Sequence, residues 1–201
     1  MFDFSLNKRA IARPDIIATD EYARMRRALR PELVAVKKNR RVECGPFATF
    51  YFENYVTMWW QIQEMLYIEK GGEEQIGDEL RAYAPLVPNG RELVATLMFE
   101  IEDPVIRHNT LLKLGGVENH ISIQVGNDAV MAVAETDLER TREGDGKASS
   151  VHFLHFPFTP AQVAKFRDPA VPVMAAIDHP DYGHMARLTP NVRAALARDF
   201  D

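Results

Sequence analysis

Between Glu43 and Glu69 the chain reads ECGPFATFYFENYVTMWWQIQEMLYIE, and a strand pattern runs into a helix pattern with no loop between them. This is the most constraining stretch in the sequence. In FATFYFE, strand alternation puts Ala48, Phe50 and Phe52 on one face and Phe47, Thr49, Tyr51 and Glu53 on the other. Aromatic residues on both faces predict a strand covered on both sides. Asn54 follows at the helix mouth, where its side chain can accept from an otherwise unpaired backbone N–H. Tyr55, Met58, Trp59, Ile62 and Leu66 then recur at helical spacing and predict a buried stripe. Thr57, Gln61 and Glu64 fall on another face of that helix, in line with Glu53.

Glu53, Gln61 and Glu64 are therefore the candidate catalytic residues. A carboxylate set among Trp60 and Met65 would be partly desolvated. Desolvation raises a carboxyl pKa and suits general acid–base work. A buried hydrogen-bond network tying helix to sheet would use the same residues, because buried polar groups need partners.

The phrase ENYVTMWWQIQEMLYIE resembles the pattern ENR-T-hydrophobic-QIQEMLR-E of an uncharacterised bacterial family, domain of unknown function 3501. Three further segments fit it: YAPLVPNGRELVATLMFEI, the LGGVENHI turn and the tail IDHPDYGHMARLTPNVRAALARDF. The resemblance covers most of the chain from about Ile17 onward. Tyr67 departs from it, because the family places an arginine there; any anion contact made by that arginine would be missing. The resemblance implies no activity. It implies a gene neighbourhood of rubrerythrin and an iron–sulfur oxidoreductase subunit, and hence a redox or peroxide-related setting.

A length of 201 residues suits a single domain, with residues 1–15 as a loosely packed N-terminal arm. No apolar run approaches the roughly 20 residues that span a bilayer. The first fifteen residues lack the apolar core of a signal peptide. With one cysteine, Cys44, an internal disulfide is excluded, and a cytoplasmic location is the natural expectation. Nor can the chain hold an iron–sulfur cluster by its own thiolates. Glu43 beside Cys44 disfavours a reactive thiolate.

The net charge of −5 is unevenly spread. Residues 1–41 carry eleven Lys and Arg against five Asp and Glu; the remainder carries thirteen against twenty-four. Arg24, Arg27, Lys37, Lys38, Arg40 and Arg41 form the candidate anion- or partner-binding surface. A solvated helix end accounts for the same run, because cations at a helix C-terminus meet a favourable dipole. No nucleic-acid motif accompanies it, which argues against nucleic acid as a partner.

The remaining chain predicts a helix from Thr19 divided or kinked at Pro31, a helix over Glu73–Tyr83, and a strand over Glu92–Glu102. Glu100 and Glu102 on that strand fit a solvent-facing edge. A helix follows from Asp103–Pro104 to Leu114. A hairpin is expected from His120–Val125 and Ala129–Glu135, with a polar loop over Thr141–Ser150. Then come a strand at Val151–Phe156, a helix capped by Thr159, a last strand at Val171–Ile177 and a helix capped by Thr189. The mixture of hairpins and single crossovers predicts an α+β fold with a mostly antiparallel mixed sheet and helices on at least one face.

His152 and His155 are three apart on a strand and point to opposite faces, so they cannot share a metal. The candidate metal ligands are Asp178, His179 and His184 of DHPDYGH, a donor set suited to iron, manganese or zinc, although a structured turn explains the same residues. Phosphate-loop, dinucleotide and nucleophile-elbow motifs are missing, as is the Glu-x-x-His pair of di-iron bundles. Two functional readings follow. One is a cytoplasmic accessory protein that docks on a rubrerythrin-like or iron–sulfur protein. The other is a small metal-dependent or carboxylate-using enzyme acting on a small anionic substrate. Trp59 and Trp60, about 100° apart on their helix, also raise a homodimer, since one of them needs cover from another element or a second copy.

Overall fold

The structure is a computed structural model, and it describes residues 2–134, 141 and 146–201. Six α-helices and nine strands are present among them. The strands form two antiparallel sheets. One has five strands in the order β1 (Arg41–Cys44), β2 (Ala48–Phe52), β3 (Glu92–Phe99), β7 (Val151–Pro157) and β6 (Val133–Ala134). The other orders β5 (Asp128–Met131), β4 (Ile121–Val125), β8 (Val173–His179) and β9 (Tyr182–Arg187). The α+β class with helices on a sheet face holds, and the strands divide between two sheets.

Strand alternation explains the layering. Phe50 and Phe52 of β2, Leu93, Ala95 and Leu97 of β3, and Leu154 and Phe156 of β7 point one way and meet Ile121, Ile123, Ala175 and Ile177 of the second sheet. Val94 and Phe153 point the other way, into a second apolar cluster built by the helices. That helical layer is made of α1 (Thr19–Lys38), α2 (Tyr55–Glu69) and α3 (Gly72–Tyr83). The five-stranded sheet is thus covered on both faces, as the aromatic residues on both sides of β2 predict.

The strand-to-helix junction forms as its residues dictate. Asn54 is extended, and its side chain accepts from the Thr57 N–H at 3.0 Å. The Thr57 hydroxyl accepts from the Asn54 N–H at 2.9 Å, which closes a reciprocal cap. A cap of this kind is worth about 1 kcal/mol. The helix ends at Lys70, which takes the left-handed conformation at φ 56°, one residue before the expected Gly71–Gly72 stop.

Several boundaries differ from expectation. Helix α1 is continuous through Pro31. Strands β1 and β9 are additional, the described part of the strand expected over Ala129–Glu135 divides into β5 and β6 on different sheets, and β8 is not the last strand. The hairpin turn between β4 and β5 is tighter than expected: Val125 pairs with Asp128, leaving Gly126 and Asn127 as the turn, with Gly126 at φ 60°. Glu135 of the expected hairpin, and Arg142–Asp145 of the expected polar loop, lie outside the described residues. The remaining helices are α4 (Pro104–Lys113), α5 (Pro160–Arg167) and α6 (Pro190–Leu196), capped by Asp103, Thr159 and Thr189.

Residues 2–15 run along the helical layer. Phe2 stacks on Trp59 at 3.7 Å between ring centroids, and the Asp15 carbonyl accepts from the Trp59 indole N–H at 2.9 Å. Trp60 is buried too, edge-on to Tyr22 of α1. Both tryptophans therefore find their cover within the chain. The motive for a homodimer falls with that. Among the described residues, no helix is long and apolar enough to cross a membrane.

Candidate functional site

A cavity of about 300 Å³ opens between the helical layer and the outward face of the five-stranded sheet. The junction at Phe52–Thr57 forms one end of it. Tyr51 and Glu53 reach it because they share a strand face, as the alternation predicts. Thr96 and Met98 of β3 and Phe153 of β7 continue the floor. Thr57, Met58 and Gln61 of α2, together with Tyr83 and Leu86, form the roof, and Lys37 and Arg40 stand at the end of α1.

Glu53 is the polar centre. It is only 8% exposed, and its Oε1 accepts from the Thr96 hydroxyl at 2.8 Å. Among the described residues its carboxylate makes no ion pair. The Gln61 amide lies 3.5 Å from the Tyr83 hydroxyl, a long contact that leaves both groups available to a ligand. The Tyr51 hydroxyl instead donates to Glu100 at 2.8 Å.

The structure brings Glu53 and Gln61 together and sends Glu64 elsewhere. Glu64 faces α1, where its two oxygens accept from Arg26 Nε at 2.6 Å and Nη2 at 2.7 Å. The Tyr22 hydroxyl donates to the same carboxylate. The expectation of a raised Glu64 pKa is overturned: the Arg26 hydrogen bonds hold it below the usual carboxylate range and outweigh desolvation. Burial and the neighbouring Glu64 push the Tyr22 phenol up, so it stays a donor. Glu64 joins two helices and does not face the cleft.

The basic residues also separate. Arg24, Arg27, Lys37 and Lys38 are exposed on α1. Arg41 is exposed but engaged, 3.1 Å from Glu43 and 3.6 Å from Glu100, with its guanidinium over the Tyr51 ring. Arg40 is no part of that surface. It is 4% exposed, donates to the carbonyls of Phe52 at 2.9 Å and Glu53 at 2.8 Å, and pairs with Asp199, itself 1% exposed. Burial pushes the Asp199 carboxyl up, against the pull of the guanidinium.

The proposed metal ligands sit on the β8–β9 hairpin. Ile177 pairs with His184 and His179 with Tyr182, so both histidines face the core side. Asp178 is opposite Gly183 and points to the other face, where it cannot join them. The His179 Nδ1 accepts from the Asp181 N–H at 3.2 Å, a turn contact. Among the described residues, no group of three His, Cys, Asp or Glu side chains is placed to hold a metal ion. His152 faces the core opposite Leu97, and His155 faces outward opposite Val94, as their spacing requires.

Cys44 is buried, and its thiol donates to the carbonyl of His184 at 3.4 Å. Burial pushes it up to about 11, so it is protonated at neutral pH and inert as a nucleophile. Two cleft residues, Tyr83 and Thr96, had no sequence signal. Each joins Glu53 or Gln61 only through tertiary contact.

A family model described as "Protein of unknown function (DUF3501)" matches residues 10–200. The chain belongs to the DUF3501 family. A similar solved structure is a crystal structure of a protein of unknown function from Burkholderia pseudomallei, 39% identical, with a TM-score of 0.87. The match covers 96% of this chain and all of that one. No curated protein matches.

For this DUF3501 protein the Glu64 geometry predicts a pH signature. A carboxylate with a depressed folded pKa stabilises the fold above its unfolded pKa, near 4.5, and loses that contribution as pH falls through the lower folded value. Glu64→Gln is expected to cost about 1–3 kcal/mol in urea denaturation at pH 7. That cost should shrink steadily below about pH 4.5. A cost that stays constant down to pH 3 would contradict the assignment.

Proposed function

We propose that the cleft between α2 and the five-stranded sheet binds a small molecule, and that Glu53 is the group that contacts it. One observation carries this reading. A nearly buried carboxylate, held by a single neutral hydroxyl, lines a cavity large enough for a small metabolite. Burying an ionised carboxylate is costly unless it is paired and hydrogen-bonded. Glu64 on the neighbouring helix is answered more fully, by Arg26 and Tyr22, and it lines no part of the cavity. Lys37, exposed at the rim, supplies a cation for an acidic group on the ligand. This supports a carboxylate-using enzyme acting on a small substrate whose acidic group, where it has one, lies at the Lys37 rim, with Glu53 as acid–base group and Gln61 as a positioning residue. Glu64 has no part in it.

A thermal-shift panel of small metabolites tests the cleft. Met98→Trp fills the floor with a larger side chain and leaves Glu53 in place. At least one compound class is expected to raise the melting temperature of the wild type by 2 °C or more and to have no effect on Met98→Trp. Equal responses from the two proteins would place the binding elsewhere.

A second reading is favoured by one feature, the exposed cations Arg24, Arg27, Lys37 and Lys38 along α1. They suit docking on an acidic protein such as a rubrerythrin-like or iron–sulfur partner in a redox pathway. In that role the chain would act by contact, since its described cysteine is buried and protonated. Reversing these four charges should abolish co-purification of a redox partner from the source cells; enrichment that survives the reversal would sink the docking role.

A further inference from the structure

The chemistry around Glu53 narrows what the cleft accepts. This step rests on the proposal that the cleft is a ligand site. Two cations line the cavity, and neither answers the carboxylate. Arg40 spends its donors on Asp199 and on the Phe52 and Glu53 carbonyls. Lys37 is exposed at the rim and forms no ion pair with Glu53 among the described residues. Thr96 supplies one hydroxyl donor to one oxygen. The second oxygen has no donor within the fold among the described residues and is open to solvent at the cavity, although the residue as a whole is only 8% exposed.

The walls around it are aromatic and soft: Tyr51, Tyr83, Phe153, Met58 and Met98. Aromatic faces attract cations, and a carboxylate beside them completes a site for a positive charge. They also accept an apolar body and offer no charge to a second anion. A neutral donor would answer the carboxylate with one hydrogen bond but leave its charge uncompensated, and an anion would be repelled at low effective dielectric.

We infer that the ligand presents an ammonium group to Glu53, carried on a small apolar body, with any acidic end at the Lys37 rim. The chemical class is a primary amine or an amino acid with an apolar side chain. The ammonium donates to the open Glu53 oxygen, the rings of Tyr51, Tyr83 and Phe153 flank it, and the body fills the space between Met58 and Met98. An amino acid satisfies both ends of the cleft at once, ammonium on Glu53 and carboxylate toward Lys37.

Isothermal titration with two matched sets provides the test: phenylalanine, phenethylamine and 3-phenylpropanoate, then leucine, isoamylamine and 4-methylpentanoate. In at least one set the compounds bearing an ammonium should bind ten-fold or more tightly than the carboxylate that lacks it. Glu53→Gln should erase that preference while its far-UV circular dichroism and melting profile stay those of the wild type. The conservative variant can still accept from Thr96. Lys37→Ala should weaken the amino acid and spare the simple amine. Met98→Trp serves as a second variant with Glu53 intact, and it should abolish all binding in either set.

The inference is overturned if the carboxylates bind as tightly as their aminated partners. It is also overturned if Glu53→Gln keeps the preference, or if neither set binds to wild type. Should neither set bind while the metabolite panel still yields a ligand that Met98→Trp rejects, the cleft remains a binding site and only the ammonium assignment is lost.

Discussion

Arg40 is the interaction on which the rest of the structure depends. The chain leaves strand β2 and enters helix α2 across Glu53 and Asn54, with no loop to turn its backbone groups to water. The Phe52 and Glu53 carbonyls at that corner are answered by the Arg40 guanidinium, and the Arg40 carbonyl accepts from the Phe52 N–H at 2.8 Å. The same guanidinium pairs with Asp199 near the C-terminus. One side chain thus ties the end of α1, the β2–α2 corner and the last turn of the chain. Removing one partner of a buried pair of this kind costs about 3–5 kcal/mol, because the other charge is left buried without an answer. The corner it fixes is also the end wall of the cleft.

That arrangement explains why Glu53 can be both buried and open. Its backbone is held by Arg40 and by a hydrogen bond from its N–H to the Val94 carbonyl at 2.8 Å. The side chain needs no role in the fold to be positioned. Thr96 orients it, and Asn54 with Thr57 starts the helix beside it without drawing on the carboxylate. Scaffold and candidate chemistry are carried by different groups of neighbouring residues. Glu64, one face away on the same helix, shows the contrast: its two oxygens are occupied by Arg26 and Tyr22, and it serves to join α1 to α2.

What was legible in the sequence was local. The alternation in FATFYF set the faces of β2, and Asn54 at the helix mouth marked the helix start, since both signals lie within a few residues of the element they define. The cleft was half legible: Glu53 and Gln61 were found from spacing on adjoining elements, while Tyr83 and Thr96 come from elements far along the chain. Arg40 was misread because it sits within a run of basic residues that looks like a solvated helix terminus. Only Asp199, far away in sequence, reveals why it is buried. Strands β1 and β9 were missed because RVEC and YGHMAR are short edge strands that alternate with charged or small residues. Reading DHPDYGH as a loop of ligands hid the hairpin that puts Asp178 on the face away from the two histidines.

The central claim is that the cleft beside Glu53 is the place where this chain meets a small molecule. Methionine methyl groups report on it directly. Met58 and Met98 line the cleft, whereas Met131 and Met185 are exposed elsewhere. Methyl-labelled protein can be titrated with the small-molecule extract of its source cells and followed by two-dimensional NMR. The account predicts shifts of the Met58 and Met98 signals, with Met131 and Met185 unmoved. An extract that leaves Met58 and Met98 in place, or moves only the exposed pair, would contradict it.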